Sequence, residues 1–352
     1  MNMDLHGGNI YKLKRDGIDE MLDYSSNINP LGVPKSFKEA VIKNMDDLER
    51  YPDIDYIELR QEIAKYNNTN LENIVVGNGA TEVLFLYMKA IEGKKVLIIS
   101  PTFAEYERAA KSAGKIVNYF PYEEDYSLDI EKLNKFLTDE DIVVLCNPNN
   151  PTGKFQDLKK IEKLIEILQK KEKKLFIDEA FIEFMDGWMD KTSFLLENKN
   201  IFILRALTKY FAIPGVRLGY GLTYDQELLT KINEVREPWS VNGVAEIAGK
   251  VMLNDHEYMK LTDKWILEEK KWFYNELKKI DNIKAFETEV NFILVKLLKD
   301  TSRDFREKML NEKIVVRDAS NFKYLDNTFV RLAIKDRERN LKVLEVIKKV
   351  VK

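Results

Sequence analysis

Short apolar, β-branched runs alternate along this chain with longer stretches of helical period, and that alternation restricts the fold more than any other feature. The runs are Val96–Ile99, Ile142–Cys146, Leu175–Ile177, Ile201–Leu204 and Leu218–Leu222. Between them, Leu158–Gln169 sets Leu158, Ile161, Leu164, Ile165 and Leu168 at helical spacing. Strands that are apolar throughout are buried on both faces. The pattern therefore predicts an α/β fold with a mainly parallel sheet flanked by helices. At 352 residues the chain is too long for one small core, which predicts a large domain and a smaller one. A helical region from about Ala245 to Lys279, broken near Asn254, precedes strand-like Asn291–Val295 and Ile314–Val316 and a terminal helix Arg339–Val350. This tail reads as an α+β domain.

Charge and cysteine usage narrow the function classes. Lys+Arg 56 against Asp+Glu 59 gives a net charge of −3, so there is no electrostatic reason to expect nucleic acid as a partner. The lysine-rich run KKIEKLIEILQKKEKK mixes both signs and reads as a solvated helix face. A single cysteine, Cys146, excludes a disulfide within the chain, and its place at the end of an apolar run predicts a buried structural thiol. With His6 and His256 as the only histidines, and no HExxH or CxxC spacing, no metal site is expected. The opening MNMDLHGGNIYKLKRDG lacks the apolar core of a signal peptide and no run approaches a membrane span, so the expected location is cytoplasmic, with no membrane partner.

Ligands in parallel sheets bind at the carboxyl ends of the strands. Three polar segments fall there: Asn147–Gly153, Asp178–Phe181 and Thr208–Lys209. In LRALTKYFAIPGVRLGY, Thr208 and Lys209 follow a strand, and Arg217 comes eight residues later among Gly215 and Gly219. A hydroxyl, an amine and a guanidinium suit an anionic ligand with an electrophilic carbon. Lysine forms Schiff bases with carbonyls, and pyridoxal phosphate is the commonest carbonyl cofactor held that way. Arg217 can hold its phosphate in bidentate fashion.

Each remaining motif has a plain alternative. Gly77-Asn78-Gly79-Ala80-Thr81-Glu82 before an apolar helix reads as a phosphate site at a helix N-terminus, or as an ordinary turn capped by Thr81. Asn147–Gly153 reads as a turn, or as an amide aimed at a phenolic oxygen. Asp178 needs a partner where it is buried, either a protonated pyridine nitrogen or a structural cap or salt bridge. Phe103 either stacks on a ring or packs in the core. Arg331 in FVRLAI and Arg317 in IVVRDAS either meet a substrate anion or snorkel to solvent. His6-Gly7-Gly8-Asn9 is either a loose tail or a segment that closes on a substrate phosphate.

Together these residues resemble fold-type I pyridoxal-phosphate enzymes of the aspartate aminotransferase superfamily, over nearly the whole chain. The resemblance implies that Lys209 is the catalytic Schiff-base lysine, Asp178 the partner of the pyridine nitrogen and Asn150 the donor to the phenolic oxygen. It gives the phosphate to Gly79, Ala80, Thr81, Thr208 and Arg217, and the ring face to Phe103. Tyr51, in ERYPD, matches a tyrosine that reaches the neighbouring subunit's phosphate, which implies a homodimer with a shared active site. Residues 33–250 would form the large cofactor domain, and 1–32 with 251–352 the small one.

Two branches of the superfamily are similar to this chain: the histidinol-phosphate aminotransferases and the threonine-phosphate decarboxylases of cobalamin biosynthesis. HGGNIY, DYSSNINPLGVP, ERYPDIDY, PTFAEYERA, DEAFIEF, LTKYFAIPGVRLGY and PWSVNGVA, in that order, resemble the decarboxylases. That resemblance implies conversion of L-threonine O-3-phosphate to (R)-1-amino-2-propanol O-2-phosphate, with His6, Asn27 and Arg317 on the substrate phosphate and Arg331 on its carboxylate. Phe181 stands where typical histidinol-phosphate aminotransferases have a tyrosine, and agrees with the decarboxylases. Ala206 stands where both branches usually have Ser or Thr, a missing hydrogen bond to the cofactor phosphate worth about 1 kcal/mol. A reading from another class is a non-catalytic sensor on the same fold. Such proteins usually carry an added DNA-binding segment, and the sequence has no basic helix-turn-helix extension.

Overall fold

The computed structural model describes residues 7–18 and 20–351. Its strands in chain order are β1 (Leu22–Tyr24), β2 (Ile74–Gly77), β3 (Lys95–Ser100), β4 (Ile116–Pro121), β5 (Ile142–Cys146), β6 (Lys174–Asp178), β7 (Ile201–Ala206), β8 (Gly219–Leu222), β9 (Ile283–Ala285), β10 (Phe292–Leu297), β11 (Ile314–Asp318) and β12 (Phe329–Ala333). Seven of them form one sheet in the order β2-β8-β7-β6-β5-β3-β4. All pairings in it are parallel except those of β8, which runs antiparallel to β2 and β7. The expected mainly parallel α/β architecture is therefore present. The direction of β8 is new, because an apolar run carries no sign of which way the strand points.

Strands β5, β6 and β7 are buried almost throughout, as their continuous apolar character requires. Helix Leu158–Lys170 covers the sheet with Ile161, Leu164, Ile165 and Leu168, and Asp157 caps it by accepting from the Lys160 N–H. Aromatic packing ties neighbouring strands together: Phe176 of β6 stacks on Phe202 of β7 at 5.7 Å between ring centres, and Tyr87 meets both.

The remaining five strands form a second sheet in the order β1-β11-β12-β10-β9. Strand β1, from the start of the chain, pairs in parallel with β11, near the end. The long helical stretch divides as expected into Gly243–Met252 and His256–Leu277, and the Asp255 side chain starts the second by accepting from Tyr258 N–H. The other pairs of this sheet are antiparallel, and they set Arg317 of β11 opposite Arg331 of β12. Among the described residues, no helix is long and apolar enough to cross a membrane.

Candidate active site

Parallel pairing of β5, β6 and β7 brings their carboxyl ends side by side. Cys146 is in register with Asp178, and Asp178 with Leu204. The turn after β5 is fastened to β6 by the Asn147 N–H, which donates to Asp178 O at 2.8 Å. Lys209 lies in the one-turn helix Leu207–Tyr210 that leaves β7. The expected convergence of three strand ends is thus a consequence of register.

The Asp178 carboxylate is buried and held from two sides. Tyr106 Oη donates to Oδ2 at 2.6 Å, and the Ala180 N–H donates to Oδ1 at 2.8 Å. Burial pushes the Asp178 carboxyl above its ordinary value, while these bonds and the nearby Lys209 charge pull it back. For the Lys209 amine, burial acts in the opposite sense and lowers the pKa; Arg217 adds to the lowering and Asp178 opposes it. Lys209 Nζ stands 5.7 Å from the centre of the Phe181 ring, and among the described residues its amine has no hydrogen-bond or ion-pair partner. An amine with a lowered pKa and no partner is available as a nucleophile.

A second group of residues forms an anion cradle. Helix Ala80–Ala90 begins at Gly79, which has φ of 82° and no side chain, so the helix start has no side-chain cap from that residue. Thr81, the cap of the plain reading, sits inside the helix instead. The Arg217 guanidinium lies against Gly79: a Cβ added there would be 2.5 Å from Nη2. Gly219 lies against the start of this helix, where a Cβ would collide with the Ala80 backbone nitrogen. Thr208 is buried next to Lys209, while Ala206 ends β7 without a hydroxyl. Free helix N–H groups, a guanidinium, an unpartnered amine and a buried carboxylate match the phosphate, aldehyde and ring nitrogen of pyridoxal phosphate. Phe103, partly buried, has its ring 5.7 Å from that of Tyr106, edge to face.

The buried arginines come from the second sheet. Arg331 Nη1 donates to Asn150 Oδ1 and Nη2 to Ser25 O at 2.9 Å, whereas buried Nε has no partner. Its guanidinium lies 5.2 Å from the Phe292 ring centre, and Phe292 meets Phe181 edge to face at 5.0 Å. Burial, with the Arg317 charge opposite, pushes Arg331 down to about 9, against the pull of Asp23. Arg317 is also buried and donates from Nη2 to Asn321 Oδ1 at 2.8 Å. Asn27 is buried with Oδ1 unpartnered. Neither arginine snorkels to solvent.

Tyr51 does not join these groups through any ring contact with them. It is 80% exposed and its ring lies 4.8 Å from that of Trp239. His6 is outside the described residues. Sequence reasoning missed Tyr106, although it follows Phe103 at i+3 on the way into helix Glu105–Ser112. It also missed Arg205, fully buried between Glu179 at 2.9 Å and Glu183 at 3.4 Å. Cys146 is buried as expected, its thiol pushed up to about 12 by burial.

Known proteins share this sequence pattern and fold. The chain is 43% identical over 347 residues to a protein of Caldanaerobacter subterraneus subsp. tengcongensis with a provisional threonine-phosphate decarboxylase name, covering 97% of this chain and 93% of that one. It is 34% identical over 351 residues to the threonine-phosphate decarboxylase of Salmonella typhimurium, covering 98% and 96%. The crystal structure of the histidinol-phosphate aminotransferase from Clostridium acetobutylicum superposes with a TM-score of 0.89 at 39% identity, covering 94% and 99%. A histidinol-phosphate aminotransferase from Sinorhizobium meliloti, solved in complex with pyridoxal-5'-phosphate, shares the fold with a TM-score of 0.88 at 19% identity, covering 97% of this chain and 94% of that one. The family model of aminotransferase class I and II matches residues 19–347, and the chain belongs to that pyridoxal 5'-phosphate-dependent family.

Proposed function

We propose that this chain decarboxylates L-threonine O-3-phosphate to (R)-1-amino-2-propanol O-2-phosphate, a reaction of cobalamin biosynthesis. The observation that carries the reading is the facing pair Arg317 and Arg331, both buried, one of them tied to Asn150 at the strand ends. Two buried guanidinium groups suit a substrate with two anions, a carboxylate and a phosphate. The relatives at 43% and 34% identity, with their decarboxylase names, support the choice of reaction.

Lys209, Asp178, Asn150, Thr208, Arg217, Phe103 and the Gly79–Thr81 turn would hold the cofactor. Bound pyridoxal phosphate supplies an aldehyde that links to amines and a ring that accepts the electron pair released at Cα. Asp178, whose carboxylate form Tyr106 and Ala180 favour by hydrogen bonding, would pair with the ring nitrogen and favour its protonated form. Arg331 would hold the substrate carboxylate while Arg317 and Asn27 would hold the phosphate, and these two anchors would fix which bond at Cα is presented for cleavage. Breaking that bond releases CO2 and leaves its electron pair at Cα, where Lys209 Nζ would deliver a proton. Phe181 packs beside Lys209 without a hydroxyl, which leaves Asn150 as donor to the phenolic oxygen.

The same reading includes a homodimer in which Tyr51 completes the partner's phosphate site. The exposure of Tyr51, Trp239, Ile42, Met45, Leu48 and Ile54 supports an apolar face suited to a second copy. It also includes the division into 33–250 and 1–32 with 251–352, which the pairing of β1 with β11 supports.

Transamination of histidinol phosphate is the second reading, favoured by the 39% identity and 0.89 TM-score of the Clostridium acetobutylicum enzyme. Incubation with cofactor and L-threonine O-3-phosphate distinguishes the two. Released CO2 and aminopropanol phosphate support the decarboxylase; glutamate formed from 2-oxoglutarate and histidinol phosphate, with no CO2, rejects it.

A further inference from the structure

Segment Ser25–Pro30 runs between the two sheets, and its carbonyl groups are gripped by side chains from the C-terminal part of the chain. Arg331 donates to Ser25 O at 2.9 Å, Asn291 to Asn27 O at 3.0 Å and Arg339 to Pro30 O at 3.2 Å. Lys335 alone reaches two, donating from Nζ to Ser26 O at 3.1 Å and to Ile28 O at 3.2 Å. At its far end the segment touches the other sheet domain's machinery, because the Asn29 N–H donates to Lys209 O at 3.1 Å. The segment therefore links the backbone of the candidate catalytic lysine to the guanidinium that faces the substrate.

Lys335 is an unusual choice for this place. It is 7% exposed, and among the described residues no carboxylate pairs with its amine. Burial pushes that amine down to about 8, with Asp23 and Asp336 pulling upward and Arg339 downward. A buried, unpaired ammonium is costly, and an apolar side chain would pack there without that cost. Its backbone is fixed as well: Asn340 accepts from the Lys335 N–H at 3.0 Å and donates to Lys335 O at 2.8 Å, and Trp265 Nε1 donates to the same oxygen at 2.9 Å. An amine held this firmly at its base and spread across two carbonyls fixes the path of the segment.

We propose that Lys335 is a positioning residue, which by clamping Ser26 and Ile28 sets the orientation of Arg331 relative to Lys209 and so the pose of the substrate carboxylate. This rests on the assignment of Arg331 to the carboxylate made above. The segment also carries Asn27, assigned above to the substrate phosphate, so the clamp acts on the carboxylate through Arg331 and to a smaller extent on that phosphate; the cofactor-phosphate groups, the N–H groups of helix Ala80–Ala90 and Arg217, lie on other elements.

The test compares wild type, Lys335→Met and Lys335→Arg. Calorimetry measures binding of L-threonine O-3-phosphate and of 1-amino-2-propyl phosphate, which has the same phosphate and amine but no carboxylate. Loss of two hydrogen bonds to a charged donor should weaken the carboxylate ligand about tenfold or more in Lys335→Met, and the other ligand, which meets the segment only through Asn27, by a clearly smaller factor. Lys335→Arg, which keeps a cationic donor, should recover most of the difference. Equal weakening of both ligands, or of neither, overturns the proposal. Hydrogen–deuterium exchange of the peptide containing Ser25–Asn29 tests the clamp without any ligand: faster exchange in Lys335→Met is expected, and unchanged exchange overturns the clamp. If wild type binds neither ligand, the substrate assignment fails, and the exchange result alone then decides on the clamp.

Discussion

Tyr106→Phe isolates the contribution of one hydroxyl to the cofactor site. The ring is fully buried, so phenylalanine keeps the volume and leaves no cavity larger than one oxygen. What is lost is the 2.6 Å bond to Asp178 Oδ2. The Asp178 carboxyl is already raised by burial, and the Tyr106 bond is the first of the influences that lower it. Removing it disfavours the carboxylate and raises the pKa further. A hydrogen bond to a charged group is worth about 1.5–3 kcal/mol, roughly tenfold to a hundredfold in an equilibrium constant. Because a neutral Asp178 cannot pair with a protonated pyridine nitrogen, that factor should be visible in cofactor affinity. Equilibrium dialysis of pyridoxal phosphate, followed by absorbance, measures it directly. The affinity of Tyr106→Phe should fall at least tenfold at neutral pH and fall further as pH decreases. An affinity within twofold of wild type, with the same pH dependence, would refute the link from Tyr106 through Asp178 to the ring nitrogen.

Arg205→Met leaves Glu179 and Glu183 buried without their cation, and should lower unfolding stability by about 3–5 kcal/mol, read as an early shift of the denaturant midpoint. Gly219→Ala forces a methyl group into the Ala80 backbone nitrogen; it should cost about 1–3 kcal/mol and weaken cofactor binding through the displaced helix N-terminus, as dialysis and thermal melts would report. Capture of the aldehyde requires a neutral amine, and the Lys209 pKa is lowered from 10.5, so the capture rate should rise with pH and reach half its maximum below pH 10.5. Arg217 contributes to that lowering, so Arg217→Gln should move the midpoint of the stopped-flow profile upward; a midpoint unmoved or shifted downward would contradict the assigned cause.

The parts of this site legible in the sequence are those written in local pattern. Asp178 and Lys209 each follow an apolar run, and parallel strands bring such ends together, so their meeting could be argued before any coordinates. Gly79 was recognisable in the Gly77–Glu82 turn as a place where a phosphate could approach the backbone, although its contact with Arg217, and that of Gly219 with Ala80, were not. The unread parts are long-range. Tyr106 reaches Asp178 across 72 positions, and Arg331 reaches Ser25 across 306. A bond to a backbone carbonyl leaves no mark on the residue that accepts it, so the clamp on Ser25–Pro30 had no sequence signal. Arg205 had one, a charge inside an apolar strand, but its glutamates lie in a different segment, and IDEAFIEF drew attention to Asp178 alone. Strand β4, half-exposed and mixed in character, lacks the continuous apolar run by which β3 and β5 were found.

Borohydride reduction of the cofactor-loaded protein, followed by peptide mass spectrometry, tests the assignment of Lys209 most directly. A reduced pyridoxyl phosphate adduct on the peptide containing Lys209, absent from Lys209→Ala, is the predicted result. An adduct on another lysine, or none on a protein that holds the cofactor, would contradict it.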